Sequence, residues 1–495
     1  MNAFARRGAC PALSTPMQTG DGLLARLNTV AGGLSPKALI GLCESALRHG
    51  NGIVEVTARG SIQIRGLTPQ SAQALARDVD ALEIDVRIGV PVETGPLAGI
   101  DAEEIADPRP LANEIRAAIE KAGLSARLGP KVSVVVDGGG RVPMDRISAD
   151  VRLTACGDMP AWQLAIGGTA ASARPLGFVD EAHACAATIL ILEAIAALGS
   201  EARARDLDAQ HIAERIFLSG LPAISPTGRE KSGLNAGSAF AAPETGESAF
   251  QTPVFSLVEE MAGGPERGNL QARPKGTPIA TFPLVDGRCA LGIGLPFGSM
   301  PAENIIALAQ GAIALGAAEI RPAPSRALLF PGMNLDACET LRDAATSLGF
   351  ITEAHDPRLS IAACPGAPAC ASGRIATRAL AERIAAHDAD LLDGSFTLHV
   401  SGCAKGCAHP APAGLTLIGH GLHDHELDTH DGRAGIALDA TARSPEAAGT
   451  VIAGAQAGME RIAALARRNR RSGETVAACL ARLGAVAVTN AFVQG

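Results

Sequence analysis

Four of the eleven cysteines are spaced to do chemistry. Cys364 and Cys370 form a C-x5-C pair, and 32 residues further on Cys403 and Cys407 form a C-x3-C pair. Soft, strongly donating thiolates suit a cubane 4Fe–4S cluster, whose four irons each need one outside ligand. Pro365 and Pro368 stiffen the first loop. Gly402 and Gly406 are expected to adopt positive φ, letting the later two sulfurs point at one centre. Cys370 is expected at the start of a helix covering residues 371–387, where the helix dipole favours a thiolate. Structural zinc usually shows C-x2–4-C pairs, and a redox dithiol needs C-x-x-C. Both fit less well than a cluster, as do free buried thiols. Cys43, Cys156, Cys185, Cys289 and Cys338 stand alone among small and apolar neighbours and read as core residues.

The elements that must position these cysteines are repeated along the chain. Gly32–Gly66 and Gly298–Gly332 align without a gap at an offset of 266 residues. Each opens on glycine and a proline-containing cap. Each continues with an apolar-periodic helix, through Leu39, Ile40, Leu42 and Leu47 or through Ile305, Ile306, Leu308 and Ile313. Gly50 and Gly316 match as helix-ending glycines. A strand, a tight turn and a second strand follow, in which Ile62 and Ile64 match Leu328 and Phe330 as a half-buried alternation. A looser pairing lies downstream. Helix 110–121, strand 131–136 and the glycine turn 137–140 correspond to helix 373–386, strand 396–400 and the turn 401–407. Cysteines occupy only the second set of turns. The expectation is a duplicated α/β (α+β) scaffold with one metal-bearing half. Residues 1–80 and 254–345 form two ferredoxin-like half-domains, and 81–220 and 346–495 two larger α/β domains. Residues 221–253, rich in Gly, Pro, Ser and Ala, link the halves.

A formal charge of −8, one tryptophan and no tyrosine disfavour a nucleic-acid partner. No apolar stretch is expected to reach the roughly 18–20 residues that span a bilayer, and the N-terminal segment lacks the apolar region of a secretory signal. The chain is read as cytoplasmic, where cysteines stay reduced. No G-x-G-x-x-G follows an expected strand, so no nicotinamide site is indicated.

The cysteine spacing, the repeat, residues 95–115 (GPLAGIDAEEIADPRPLANEI) and the segments ACPGAPACASGR and HVSGCAKGCAHPAPAGLTLIG resemble the nitrite and sulfite reductase superfamily. That resemblance implies a central ferredoxin-like domain shared by the two half-domains, flanked by two larger α/β domains, with 4Fe–4S on Cys364, Cys370, Cys403 and Cys407. The reductases typically carry Pro-Asn after the third cysteine, where this chain has Ala404-Lys405. Arg59 matches one of their anion-binding arginines and Lys131 one of their paired lysines, but Ser133 holds the second lysine position. The Arg-Asn segment expected before residue 95 is replaced by VRIGVPVETG. The match is nearer to the oxygen-dependent branch that acts in aerobic cobalamin synthesis. That branch implies monooxygenation of precorrin-3A by O2 in a tetrapyrrole-sized pocket, with a mononuclear non-haem iron besides the cluster. An external ferredoxin or flavoprotein would deliver NADH-derived electrons. Substrate carboxylates would need arginine forks or lysine, for which Arg59, Arg65, Arg141, Arg146, Arg152 and Lys131 are candidates. His409, two residues past Cys407, is the candidate second-iron neighbour, and the histidine-rich stretch 419–430 reads as a solvated loop. Two alternatives stay open: a siroheme-dependent assimilatory sulfite or nitrite reductase, and a cluster-bearing electron-relay protein without catalysis.

Overall fold

The computed structural model describes residues 11–29, 33–157, 161–218, 276–420, 432–444 and 453–494. The expected linker 221–253 lies outside the described residues, as does most of the histidine-rich stretch.

The repeat builds one core. Helix Pro36–His49 starts where Ser35 accepts a hydrogen bond from Ala38 N–H and Pro36 fills the first turn. It buries Leu39, Leu42, Cys43 and Ala46. Helix Ala302–Ala314 buries Ile305, Leu308, Ala309 and Ala312, the same four positions at the same offset. The two helices pack on each other and share a single apolar cluster with Ile62, Ile64, Leu328 and Phe330. The halves also exchange strands. Ser299–Pro301 adds to the edge of the first antiparallel sheet, beside Ile53–Val56, with Met300 opposite Val54. The symmetry-related Leu34 bridges Ile320 of the other half. These strands are buried on both faces, not half-buried as the alternation suggested. The outer face of the second half's sheet, with Ala323, Ala327 and Leu329, packs in an apolar cluster with Leu97 and Val142. The outer face of the first half's sheet carries buried Glu55, Gln63 and Arg65 instead. The matched glycines also differ. Gly316 takes φ +85°, whereas Gly50 is extended, and a Cβ there would lie 2.4 Å from Arg65 O.

The larger units repeat a second pattern. Strands Val92–Thr94, Val134–Asp137, Ala149–Ala155, Ala161–Gly168 and Arg174–Asp180 form a sheet in sequence order, two parallel pairings followed by two antiparallel ones. Ile361–Ala363, Leu398–Ser401, Ala413–Gly419, Arg433–Ala440 and Ala453–Gly454 do the same. In each unit a helix, Arg109–Lys121 or Thr377–His387, connects the first two strands, as a parallel crossover requires. The fold is thus α/β and duplicated throughout. Among the described residues one helix, Val476–Val493, is long and apolar enough by length and composition to cross a membrane, which the sequence reading did not expect. Its Val476, Leu480, Val488 and Phe492 pack into the core of the second larger unit, and Gly484 breaks it with φ +82°.

Candidate functional site

In open α/β sheets, ligands gather beyond the carboxyl ends of the parallel strands. Both cysteine pairs lie there. Cys364 directly follows Ile361–Ala363, and Cys403 and Cys407 follow the neighbouring strand Leu398–Ser401. Cys364 is buried, and its Sγ accepts the Gly402 N–H at 3.2 Å. Thr377 Oγ1 lies 3.9 Å from the same sulfur. Burial pushes the Cys407 thiol up, and the charges of Cys403, Cys364 and Cys370 add to the shift, so all four sulfurs share one electrostatic neighbourhood. Bound metal reverses such a shift and deprotonates a coordinating thiol.

Two local expectations change. Cys370 does not begin a helix, because the helix starts at Thr377. Residues 366–375 form a tight loop whose backbone groups are spent elsewhere. Cys370 N–H donates to Gly366 O, Arg374 N–H to Gly402 O and Ala367 N–H to Ile375 O. Gly406 has the expected positive φ of 61°, but Gly402 is absent from the positive-φ glycines. Gly402 is needed for close approach. A Cβ there would lie 3.2 Å from Gly366 Cα, 3.3 Å from Gly373 Cα and 3.5 Å from Cys364 Sγ. The loops of both pairs therefore cross backbone to backbone.

The charged face of the first sheet covers this crossing. Arg65 grips Asp21 with two parallel bonds, Nε to Oδ2 at 3.0 Å and Nη2 to Oδ1 at 2.9 Å. It also donates to Ala369 O, next to Cys370, at 2.7 Å. Arg378, one residue past Thr377, pairs with Glu55 and donates to Ser299 Oγ. Arg326 stands beside Arg378. Burial and that neighbouring charge push its pKa down, and its guanidinium makes no hydrogen bond or ion pair to a described residue. It sits at φ +65°, where the matching turn of the first half has Gly60 at φ +83°.

A second basic feature occupies the equivalent end of the first larger unit. A cleft of about 150 Å³ beyond strand Val92–Thr94 is lined by Arg59, Arg87, Arg109, Arg116 and Arg321, with Glu93. Arg59 bonds Glu93 at 2.8 Å and lies 3.3 Å from Ser133 Oγ. Arg109 pairs with Asp107, and Arg321 with Glu319. Arg87 and Arg116 form no ion pair with a described residue, although the Glu93 charge acts on Arg87. Both donate to Val92 O, at 3.3 and 2.7 Å. Burial pushes both pKa values down, and Arg87 adds to the shift at Arg116. Their Nε atoms are buried without partners. Two desolvated cations this close favour an anion between them.

A family model, the nitrite/sulfite reductase ferredoxin-like half domain, matches residues 15–82. The solved structure of the Mycobacterium tuberculosis NirA protein matches with a TM-score of 0.66 at 17% identity, over 94% of this chain and 84% of that one, a likeness of fold. A precorrin-3B synthase from Sinorhizobium sp is 36% identical over 495 residues, covering all of this chain and 96% of its own. The chain belongs to the precorrin-3B synthase family. Within that family frame, the remaining sequence candidates separate. Lys131 is exposed and does not line the cleft, because strand pairing begins at Val134 and the preceding turn carries the side chain outward. Ser133, not Lys131, meets Arg59. Arg141 pairs with Glu103 at the surface, and Arg146 is exposed. Arg152 is buried, donates through Nη2 to the Met144 and Ile147 carbonyls and so holds that loop, while its Nε and Nη1 have no partner among the described residues, and it does not line the cleft. Cys43, Cys185 and Cys338 are buried thiols pushed up to about 12, 11 and 11, as core residues should be.

Sequence reading missed Arg87, Arg116, Arg321, Arg326 and Arg378. Arg87 lies inside VRIGVPVETG, so the basic residue was present where the family's arginine was sought. The other four come from separate elements that only the fold brings together. The cleft is also smaller than the tetrapyrrole-sized pocket expected, since pockets for drug-sized ligands run about 300–1,000 Å³. It suits one carboxylate-bearing arm.

Proposed function

We propose that the chain is an O2-dependent precorrin-3B synthase that hydroxylates precorrin-3A at C20 and lets the ring-A acetate close a γ-lactone. One oxygen atom enters the macrocycle, and the other leaves as water with two electrons and two protons. The observation that carries this reading is the crossing of two cysteine-bearing loops under a buried basic face, in a chain matching a precorrin-3B synthase along its whole length. Cys364, Cys370, Cys403 and Cys407 would hold a 4Fe–4S cluster. Such a cluster, when bound, supplies electrons one at a time. Among the described residues no group of three or more His, Cys, Asp or Glu side chains suits a single metal ion. The mononuclear iron of the resemblance therefore has no such group among the described residues, and the His409 ring lies 3.3 Å from Pro412 O through Nε2. No step is assigned to that iron. Arg87 and Arg116 would clamp a substrate carboxylate, with Arg59 held ready by Glu93, and Arg326 is a further unpaired cation. Electrons would come from a ferredoxin or flavoprotein fed by NADH.

The test is anaerobic incubation of the purified protein with precorrin-3A and a reductant, followed by 18O2. Product carrying one 18O atom at C20 and a lactone is expected. An unchanged tetrapyrrole overturns the oxygenase reading. Stoichiometric extractable siroheme with sulfite or nitrite reduction would replace it with the reductase.

A further inference from the structure

His399 lies in the middle of strand Leu398–Ser401 and has no exposure at all. Neither ring nitrogen has a partner among the described residues. Buried polar groups in folded proteins are nearly always bonded, so an orphaned imidazole points to a partner outside the chain. The duplicated sheet shows what this position needs structurally. Val134–Asp137 is the matching strand of the first larger unit, and Val135 fills the place of His399 among apolar Met144, Ile147 and Ala149. An apolar residue therefore suffices for packing, and only the cysteine-bearing half puts an imidazole there.

The ring faces the cysteine loops. Ala362 pairs with His399 in register, so the two share one face of the sheet, and that strand ends at Ala363, directly before Cys364. The C-x3-C loop folds back over the ring. A Cβ on Gly406, between Cys403 and Cys407, would lie 3.7 Å from His399 Cε1. His409 closes the far side edge-on, its ring centre 5.9 Å away. Burial, with His409 beside it, pushes the His399 imidazole down to about 4, so the ring is neutral and carries one N–H.

We propose that His399 donates this N–H to a sulfur of the cluster held by the four cysteines and thereby raises its reduction potential. The inference rests on the cluster reading. Reduction adds negative charge to the sulfurs, so a fixed donor stabilises the reduced form more than the oxidised one. His399 acts as a positioning and tuning residue and touches no substrate.

The experiment compares wild type, His399→Leu and His399→Gln as full-length protein with reconstituted cluster. Iron and acid-labile sulfide per chain test the cluster reading, and absence of both in wild type sinks that reading alone. With clusters intact, His399→Leu is expected to shift the reduction equilibrium about tenfold toward the oxidised form, about 59 mV lower for a one-electron couple. His399→Gln, which keeps a donor, is expected to recover part of the shift. Equal potentials in all three proteins overturn the inference. If His399→Leu does not hold a cluster, wild type labelled with 15N-histidine decides. Pulsed EPR of the reduced cluster is expected to show histidine nitrogen coupling that persists in His409→Ala, and absence of coupling overturns the inference.

Discussion

Replacing Arg65 by Met tests whether the charged face above the cysteine loops is structural or free to bind substrate. The Arg65 side chain is 5% exposed, and its partners Asp21 and Glu55 are 16% and 6% exposed. Removing one member of a buried pair costs about 3–5 kcal/mol, because the remaining charge is stranded. Glu55 keeps Arg378, and Asp21 retains some solvent and the Thr19 hydroxyl, so the lower end, about 3 kcal/mol, applies here. Burial alone would raise the Asp21 pKa. Bonds from Arg65 and Thr19 and the charge of Arg65 outweigh it, and the net shift is down. This contribution is therefore present above the unfolded carboxylate pKa and is lost as pH falls through the folded one. Denaturant unfolding near neutral pH should show the loss, and Asp21→Asn in the Arg65→Met background should return about 1–2 kcal/mol by removing the stranded charge. Arg65 also ties down Ala369, so the single variant should surrender iron to a chelator faster than wild type. A loss below about 1 kcal/mol, or a double variant no better than the single, would refute the buried-pair reasoning.

Other perturbations separate the remaining roles. Cys370→Ser should remove most iron and sulfide and abolish turnover, whereas Cys43→Ala, in the shared core, should leave the iron content intact; metal analysis decides. Gly402→Ala puts a methyl between Gly366, Gly373 and Cys364 Sγ, and should cut cluster occupancy while circular dichroism stays native. Arg87→Met should raise KM for the tetrapyrrole about tenfold or more with a smaller change in kcat, the loss of one charge-assisted contact. Burial pushes Glu104 up to about 7 from an ordinary 4.5. Between those values the unfolded chain binds fewer protons, so stability should fall as pH rises through that window and level off above it. Glu104→Gln should flatten the slope in denaturation midpoints taken from about pH 5 to about pH 8.

The cysteine constellation and the repeat were legible because each is carried by spacing along the chain. The offset that aligns Leu39 with Ile305 also aligns their burial and the strand exchange of Met300 with Leu34. What spacing does not encode is where backbone hydrogen bonds go. Residues 371–376 have a helical pattern, yet Gly373 N–H goes to Cys370 O, Arg374 N–H to Gly402 O and Ile375 O to Ala367 N–H, and the helix starts only at Thr377. Lys131 failed for a related reason: two residues share a strand face only once the strand has begun. The cleft arginines were hidden differently, each an ordinary charged residue until the fold sets helix Arg109–Lys121, which carries two of them, beside Arg59, Arg87 and Arg321.

Duplication also explains why the chemistry settled on one side. Both larger units present loops at the carboxyl ends of two parallel strands, so each half began with the same opening. In the first, the arginines beyond Val92–Thr94 bring positive charge to it. In the second, thiols fill it and an imidazole replaces Val135's counterpart. The sheets between them diverged to match: the outer face of the second half's sheet became apolar and fixed the first larger unit in place, while the first half's sheet kept Glu55, Gln63 and Arg65 turned toward the cysteines. Under the proposed function, a macrocycle with many carboxylates would meet both environments at once, a wall that would carry electrons and separate cations for its arms. Two copies of one scaffold, specialised in opposite directions and locked by a shared core, would supply that pairing.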